Sequence, residues 1–204
     1  MTKGITVEDL LRRCYPVVRG ESVLIHADSG GCGLIACQWA RQLGAFIIGT
    51  VSTDKKVALA RSPDCDYPIV YGRNDVVARV KEITGGAGVS VVYDAVGHNT
   101  FMISLDCLAR RGHPVNFGQA PGPVRPIHLS ELTDRDSLYV TRPTLFSYIA
   151  AREELLGAAA TLFGVIRRGA VKIEISQTYP LAETARTHAD LEARKTTGST
   201  LLIP

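Results

Sequence analysis

Apolar and polar positions alternate along the first 118 residues in a rhythm that predicts strands and helices in turn. The apolar runs SVLIH (22–26) and AFIIGTV (45–51) are typical of strands buried on both faces of a parallel sheet. Between them, GLIACQWARQLG has apolar residues at helical spacing and ends at Gly44, a residue type that commonly stops helices. The alternation continues through KKVALAR, PIVY, DVVARVKEIT, VSVVYDAVG, TFMISLDCLARRG and PVNFG. This pattern predicts an α/β fold built on a doubly wound parallel sheet.

The regular alternation of strand-like and helix-like segments ends after Gly118. The segment QAPGPVRPIH carries three of the ten prolines, which predicts a long loop. Beyond it we predict a strand in SLYVTRPTL, a long helix in SYIAAREELLGAAATLFGVIRRG, a strand in KIEISQTYP, a helix in LAETARTHADLEAR and a terminal strand in STLLIP. The opening TVEDLLRRCYPV predicts a helix with Thr6 as its N-cap. We expect a nucleotide-binding domain over 1–142 and a separate C-terminal segment over 143–204.

Composition narrows the class of protein. The 204 residues carry a net charge of +3, and basic residues are scattered among nearly as many acids, unlike the basic stripe of a nucleic-acid binder. No apolar run reaches the roughly 18 residues of a membrane span, so we expect a soluble, cytoplasmic protein. The five cysteines and five histidines are dispersed without metal-ligand spacing, and we expect reduced thiols and no metal site.

A glycine-rich turn, His26-Ala27-Asp28-Ser29-Gly30-Gly31-Cys32-Gly33, follows the first predicted strand. Gly30 and Gly33 match the second and third glycines of the dinucleotide-binding pattern G-x-G-x-x-G, and Asp28 replaces the first. In such a turn the backbone N–H groups and the helix dipole bind a pyrophosphate. A tight strand-to-helix turn without a ligand is the alternative interpretation.

The end of the second predicted strand bears on the choice of cofactor. Proteins that bind NAD usually place an acid there to hold the ribose 2′-hydroxyl, but this chain has Thr50-Val51-Ser52-Thr53, then Lys55 and Lys56. Hydroxyls and lysines suit a 2′-phosphate, so the sequence favours NADP(H). Asp54 places an acid near the same spot, and a solvated first helical turn is the alternative for the lysines.

Several strings together resemble a known family: VLIHADSGGCGLIACQWARQLGA, GTVSTDKK, VVYDAVG, SLDCLARRG, VNFG, SLYVTRP and TTGSTLLIP. From Gly4 to Pro204 the chain resembles bacterial quinone oxidoreductases related to zeta-crystallin, zinc-free members of the medium-chain dehydrogenase/reductase superfamily. The resemblance implies a Rossmann-type domain, NADPH as cofactor, a quinone substrate and a homodimer. It also implies a GroES-like catalytic domain that would precede this chain and that the C-terminal helices and strands would join.

The resemblance also implies individual cofactor contacts. Gly30, Gly31, Cys32 and Gly33 would follow the pyrophosphate, and Ser52, Lys56 and Tyr71 would hold the 2′-phosphate and adenosine end. Phe117 would lie near the nicotinamide, and Arg194 would return toward the phosphates. The alternatives are a core position for Phe117, a strand end for Tyr71 and a helix C-terminal charge for Arg194.

The chain departs from the family pattern at three places. Asp28 replaces a small residue, and its charge would repel a pyrophosphate. Cys32 stands where valine is usual, and Pro63 is expected to end the preceding helix early. No residue is identified as a catalytic acid or base.

Two functions follow from these observations. One is an oxidoreductase in which NADPH supplies a hydride to a quinone. The other is a nucleotide-binding module without turnover, structural or regulatory, because the expected catalytic half is missing. We expect the 204-residue chain to be inactive on its own.

Overall fold

The fold was analysed in a computed structural model that describes residues 1–26, 30–52, 64–71, 73–119, 121–193 and 195–204. Its centre is a five-stranded parallel sheet in the order β3-β2-β1-β4-β5. The strands are β1 (Ser22–His26), β2 (Phe46–Val51), β3 (Tyr67–Val70), β4 (Val89–Asp94) and β5 (Leu108–Asn116). The chain runs outward from β1 to β3 and then crosses back to β4, so the winding reverses between β1 and β4. This topology confirms the predicted doubly wound sheet, and ligands of such sheets bind at the carboxyl ends of the strands beside that reversal.

Helices cover both faces of the sheet. They are α1 (Thr2–Asp9), which continues as a π-helical turn (Leu10–Cys14), α2 (Gly31–Leu43), α3 (Val76–Ile83), α4 (Phe101–Cys107), α5 (Ser130–Thr133), α6 (Leu145–Tyr148), α7 (Arg152–Arg167) and α8 (Thr184–Glu192). One core cluster joins α1, α2 and α7 to the sheet and includes the fully buried Trp39. A second cluster joins α3 and α4 to the opposite face around Val80 and Leu105. The two cores explain why the strands are apolar on both sides.

The boundaries of α2 follow from its sequence. Gly30 is its N-cap, and Gly44 ends it in the left-handed conformation, with φ of 88°. Glycine adopts this conformation without the penalty that a Cβ brings, so the predicted stop at Gly44 is confirmed.

Four local predictions are wrong. Thr6 is not an N-cap, because α1 begins at Thr2 and the Thr6 hydroxyl donates to the Thr2 carbonyl one turn earlier. The helix α4 ends at Cys107, and the next residues extend β5, since pairing with β4 satisfies their backbone groups. The segment SLYVTRPTL forms a single bridge, Val115 with Thr141, instead of a strand. The long helix is divided into α6 and α7 with a break at 149–151.

The C-terminal segment forms a small sheet of its own. The strands β6 (Ile175–Pro180) and β7 (Ser199–Ile203) pair in parallel, and a short 3-10 helix (Leu181–Glu183) and α8 connect them. A backbone bridge between Gly30 and Gly198 ties this segment to the glycine-rich turn. The predicted helix KKVALAR and its expected end at Pro63 lie outside the described residues.

Candidate functional site

The glycine-rich turn lies at the start of α2, at the carboxyl end of β1. Gly30 is extended, with φ of −78° and ψ of 167°, and it provides no side-chain cap for the helix. The first N–H groups of a helix have no intrahelical acceptors, and together with the helix dipole they form a site that attracts anions. Gly31 and Cys32 are half-buried and Gly33 is buried. Burial raises the pKa of the Cys32 thiol, which therefore stays neutral at the turn.

A lysine from α1 reaches the same turn. The Lys3 ammonium lies 3.4 Å from the Gly198 carbonyl and 3.5 Å from the Ser199 hydroxyl. A Cβ atom on Gly31 would lie 2.5 Å from Lys3 Nζ and 2.8 Å from the Gly198 oxygen, closer than real Cβ contacts. Only glycine therefore fits at position 31, and its lack of a side chain allows a positive charge to approach the first turn of α2.

Three polar side chains form a buried network beside the turn. The Tyr71 hydroxyl contacts His26 Nδ1, and the Thr50 hydroxyl lies 2.8 Å from the Tyr71 oxygen and 3.0 Å from His26 Nδ1. His26 is fully buried, and its Nε2 has no hydrogen-bond partner among the described residues. Burial lowers the pKa of His26 to about 4, although Asp94 opposes that shift. His26 is therefore neutral at physiological pH.

This network determines which hydroxyl groups at the end of β2 are available to a cofactor. Thr50 is buried and bonded to Tyr71, so its hydroxyl faces the interior instead of the cofactor side. Ser52 follows β2 directly and is exposed. Lys56 and Arg194, as well as Asp28 in the glycine turn, lie outside the described residues. Of the residues expected at the 2′-phosphate end, the structure thus describes Ser52 and Tyr71.

Phe117 is positioned by the loop that follows β4. The Asp94 carboxylate accepts hydrogen bonds from the Gly97 amide at 2.9 Å and the Thr100 hydroxyl at 2.7 Å, among others. The Asp94 carbonyl accepts from the amides of Phe117 at 2.9 Å and Gly118 at 3.2 Å. These bonds fix the backbone of Phe117 at the carboxyl end of β5, where its half-buried ring packs against the core of α1 and α2.

A cavity of about 450 Å³ opens beside Phe117, within the usual size of small-molecule sites. Its walls come from α1, from the end of β5 and from the segment before α6: Thr6, Asp9, Leu10, Phe117, Arg142, Pro143, Thr144 and Leu145. The Arg142 guanidinium is anchored by a 3.1 Å hydrogen bond to the Asn116 carbonyl. The cavity therefore combines an aromatic wall with one positive and one acidic side chain.

Asp9 is the acidic group of the cavity and is only 1% exposed. Its Oδ1 atom has no hydrogen bond among the described residues, and the nearest cation is Arg13, with Nε at 3.7 Å. Burial raises the pKa of Asp9 to about 6, with Arg13 lowering it and Glu8 raising it.

The helix α1 joins the turn to the cavity. Lys3, Thr6 and Leu10 are spaced by three and four residues and so lie along one side of the helix. Lys3 reaches the glycine turn, and Thr6 and Leu10, about one and two helical turns further on, line the cavity. The glycine turn and the cavity therefore lie along the same side of α1.

Sequence reasoning missed four residues of the turn and the cavity: Lys3, Thr6, Asp9 and Arg142. Lys3 is separated by 195 residues from its partner Gly198, and no local pattern links the two. Arg142 stands in the quoted string SLYVTRP, but nothing in the string shows that its side chain reaches a cavity. An acid among the buried positions of an amphipathic helix was the available signal for Asp9.

The parallel sheet, its reversal point and the glycine turn define a dinucleotide-binding α/β domain of the Rossmann type. Residues 31–161 match the family model described as zinc-binding dehydrogenase, and the chain belongs to that family.

The relatives refine this placement. A quinone oxidoreductase of Pseudomonas aeruginosa is 51% identical over 204 residues, covering 100% of this chain and 63% of the relative. The crystal structure of Escherichia coli quinone oxidoreductase complexed with NADPH has a TM-score of 0.96 and 50% identity, over 100% of this chain and 63% of that chain. A 2-haloacrylate reductase of Burkholderia is 43% identical over 205 residues, covering 100% of this chain and 62% of the relative. The expected resemblance to quinone oxidoreductases is confirmed, and the chain spans about 63% of the length of the first of them.

The described ranges lack two kinds of feature. None of their helices has the length and apolar character needed to cross a membrane. In the same ranges, no three or more His, Cys, Asp and Glu side chains are grouped so that they could hold a metal ion.

Proposed function

We propose that this chain is the NADPH-binding part of a quinone oxidoreductase, in which a hydride passes from NADPH to a quinone. The observation that carries the proposal is that an anion site at the start of α2 and an aromatic-walled cavity lie along the same side of α1. A dinucleotide has the same two parts, a charged pyrophosphate and a flat nicotinamide ring. The similarity to relatives named quinone oxidoreductases, one of them complexed with NADPH, supports the assignment.

The phosphate contacts follow from the geometry of the turn. Gly30, Gly31, Cys32 and Gly33 would present backbone N–H groups to the pyrophosphate, and Lys3 would add a positive charge. Because Gly31 has no Cβ, the Lys3 ammonium and the Gly198 carbonyl can lie against the backbone at this point. These residues fit the cofactor in charge.

The 2′-phosphate end is assigned to Ser52, Lys56, Tyr71 and Arg194. Ser52 is exposed at the end of β2, as a hydroxyl donor to a phosphate must be. The assignments of Lys56 and Arg194 rest on the sequence and on the family resemblance. For Tyr71 we propose contact through the ring, since its hydroxyl is engaged with His26 and Thr50.

The nicotinamide end is assigned to the cavity. NADPH, when bound, supplies the hydride, and the protein holds the ring so that one face is open to the acceptor. Phe117 would provide an apolar wall, and Thr6 a hydroxyl at the cavity rim. The chain would exclude water from the opposite side of the ring through Leu10 and Leu145.

Further features of the protein remain proposals. We propose a zinc-free, cytoplasmic enzyme that forms a homodimer. Because α7 packs into the same core as α1 and α2, we place the end of the nucleotide-binding domain after α7 instead of at residue 142. Exposed apolar side chains beside the edge strand β5 support self-association, among them Tyr139, Val140 and Phe146. The small sheet of β6 and β7 exposes Ile175, Leu201 and Ile203, which would suit packing against further protein.

Cofactor titration tests the assignment. We expect NADPH to bind the chain at least tenfold more tightly than NADH, measured by the change in nicotinamide fluorescence. Lys56→Glu should remove that preference because it replaces an attractive charge with a repulsive one, while the matched change Lys172→Glu should leave it intact. Equal affinity of the unaltered chain for the two cofactors would refute the assignment of the 2′-phosphate site.

Turnover is a separate proposal. For the 204-residue chain by itself we propose cofactor binding without efficient quinone reduction, since hydride transfer requires donor and acceptor to be held together away from water. The test follows NADPH oxidation with a simple quinone, with the full-length Pseudomonas aeruginosa relative as the positive control. Comparable turnover by the 204-residue chain would contradict this proposal but would leave the cofactor site standing.

A further inference from the structure

We propose that Asp9 sets the preference of the cavity between oxidised and reduced cofactor: its ionised carboxylate attracts the positively charged ring of NADP⁺, and its neutral acid does not. The inference rests on the proposed placement of the nicotinamide in this cavity. It gives Asp9 a role in discriminating between the two forms of the cofactor. Neither the sequence pattern nor the family resemblance assigns Asp9 a role.

The position of Asp9 carries the inference. It lines the cavity together with Thr6 and Phe117, yet only 1% of its surface is exposed. Its Oδ1 atom is closed to solvent and has no hydrogen bond among the described residues. Asp9 would therefore act on a ring in the cavity through its charge, which is poorly screened at a buried position, and not through a direct hydrogen bond.

The positive charges around Asp9 do not neutralise the negative charge of its carboxylate. Arg13 is the nearest cation, but its Nε is 3.7 Å from Asp9 Oδ1 while its Nη2 is 3.1 Å from the Glu8 carboxylate. One guanidinium is thus shared between two buried carboxylates. From the opposite wall Arg142 faces the same cavity, anchored to the Asn116 carbonyl.

Two further titratable groups lie within electrostatic reach, the Cys14 thiol and the Tyr148 hydroxyl, and both stay neutral near pH 7. Burial raises the pKa of Cys14 above its ordinary value and raises the pKa of Tyr148 to about 12, with Asp9 adding to both shifts. Asp9 itself, with its pKa raised to about 6, changes charge between pH 5 and 8. Among the described residues that line the cavity, Asp9 is the acid, and its change of charge falls in this range.

The two cofactor forms differ by one charge on the ring. NADP⁺ and NADPH carry the same phosphates, so the titration of those phosphates affects both affinities alike and cancels in their ratio. A carboxylate within several ångströms of a positive ring, partly screened, should favour the oxidised form by roughly five- to tenfold. Preferential binding of NADP⁺ would also make bound NADPH a stronger hydride donor, by thermodynamic linkage.

The experiment compares the dissociation constants of NADP⁺ and NADPH by calorimetry at pH 5.5 and pH 8, with the 204-residue chain. In the unaltered protein the affinity for NADP⁺ relative to NADPH should rise roughly two- to threefold between the two pH values, because a pKa of about 6 leaves part of Asp9 ionised at pH 5.5. In Asp9→Asn, which keeps the shape but not the charge, the ratio should be independent of pH. Glu153→Gln is the matched control, since it removes an exposed carboxylate that does not line the cavity and should leave the pH-dependent ratio unchanged.

The outcomes separate this inference from the function on which it rests. A ratio that does not change with pH in the unaltered protein would overturn the role of Asp9, and so would an unchanged pH dependence in Asp9→Asn. Both results would leave NADPH binding itself intact. If neither nucleotide bound, the proposed function would fall and this inference with it. Should Asp9→Asn fail to fold, the titration of the unaltered protein still decides.

Discussion

Two buried groups, His26 and Asp9, should make opposite contributions to stability in the same pH range. Burial lowers the pKa of His26 from 6.5 to about 4, with Asp94 opposing. Burial raises the pKa of Asp9 from 3.8 to about 6, with Arg13 opposing and Glu8 adding to the rise. Each group is thus neutral in the folded chain at a pH where its unfolded form is charged.

The signs follow from proton uptake. Between pH 6.5 and 4 the unfolded chain binds a proton at His26 that the folded chain does not, so stability falls as pH decreases. Between pH 6 and 3.8 the folded chain binds a proton at Asp9 that the unfolded chain does not, so stability rises as pH decreases. Around pH 5 the two slopes nearly cancel.

When one of the two groups is substituted, the pH dependence of the free energy of unfolding should show the contribution of the other. From pH 7 to pH 5, the His26 contribution amounts to a loss of about 2 kcal/mol and the Asp9 contribution to a gain of about 1 kcal/mol. Asp9→Asn should therefore lose about 2 kcal/mol of unfolding free energy over this range, while the unaltered chain loses about 1 kcal/mol or less. His26→Asn, which places an amide near the former Nδ1 position, should gain about 1 kcal/mol.

The assay is urea unfolding at pH 5, 6 and 7, followed by circular dichroism. Burial also lowers the pKa of His113, but that contribution is common to all three proteins and cancels when they are compared. The reasoning would be refuted if Asp9→Asn and the unaltered chain showed the same pH dependence, because Asp9 would then titrate alike in both states.

Two further substitutions test the local geometry. Gly31→Ala should weaken NADPH binding at least tenfold, because its Cβ displaces Lys3 and Gly198; Gly157→Ala, with nothing within 4 Å of the new Cβ, is the control and should leave binding unchanged. Wild-type affinity in Gly31→Ala would show that the turn can relax. Tyr71→Phe should lower the free energy of unfolding by about 1 kcal/mol, since it removes a buried hydroxyl from the network with His26. An unchanged urea midpoint would contradict that role.

The sequence by itself determined the class of fold. Strands buried on both faces must be apolar throughout, so SVLIH and AFIIGTV could be predicted as strands from the sequence. The structure confirms that both are strands and that they are parallel neighbours. The end of α2 could also be predicted from the sequence, because Gly44 adopts the left-handed conformation that stops a helix. The family resemblance depended on strings of contiguous residues and was confirmed by relatives about 50% identical over the whole chain.

Local pattern failed where tertiary contacts decide the local structure. Leu108 and the residues after it continue a helical pattern, but hydrogen bonds to β4 turn them into strand. Thr6 has the chemistry of an N-cap, but the helix extends to Thr2 because the apolar positions at Ile5 and Val7 pack into the core. Propensity is worth a few tenths of a kcal/mol per residue, and burial of a large side chain is worth about 2 kcal/mol, so packing prevails.

The cavity and the approach of Lys3 to the glycine turn could not be predicted from the sequence for a different reason. Lys3 meets Gly198 and Asp9 shares a cavity with Arg142, pairs that lie more than a hundred positions apart. Residue types alone gave Gly30 and Gly33 a role, because a close backbone approach demands glycine wherever it occurs, and the family resemblance added Gly31. Whether a buried acid is paired, or open to a cavity, depends on distances between segments that only the folded chain brings together.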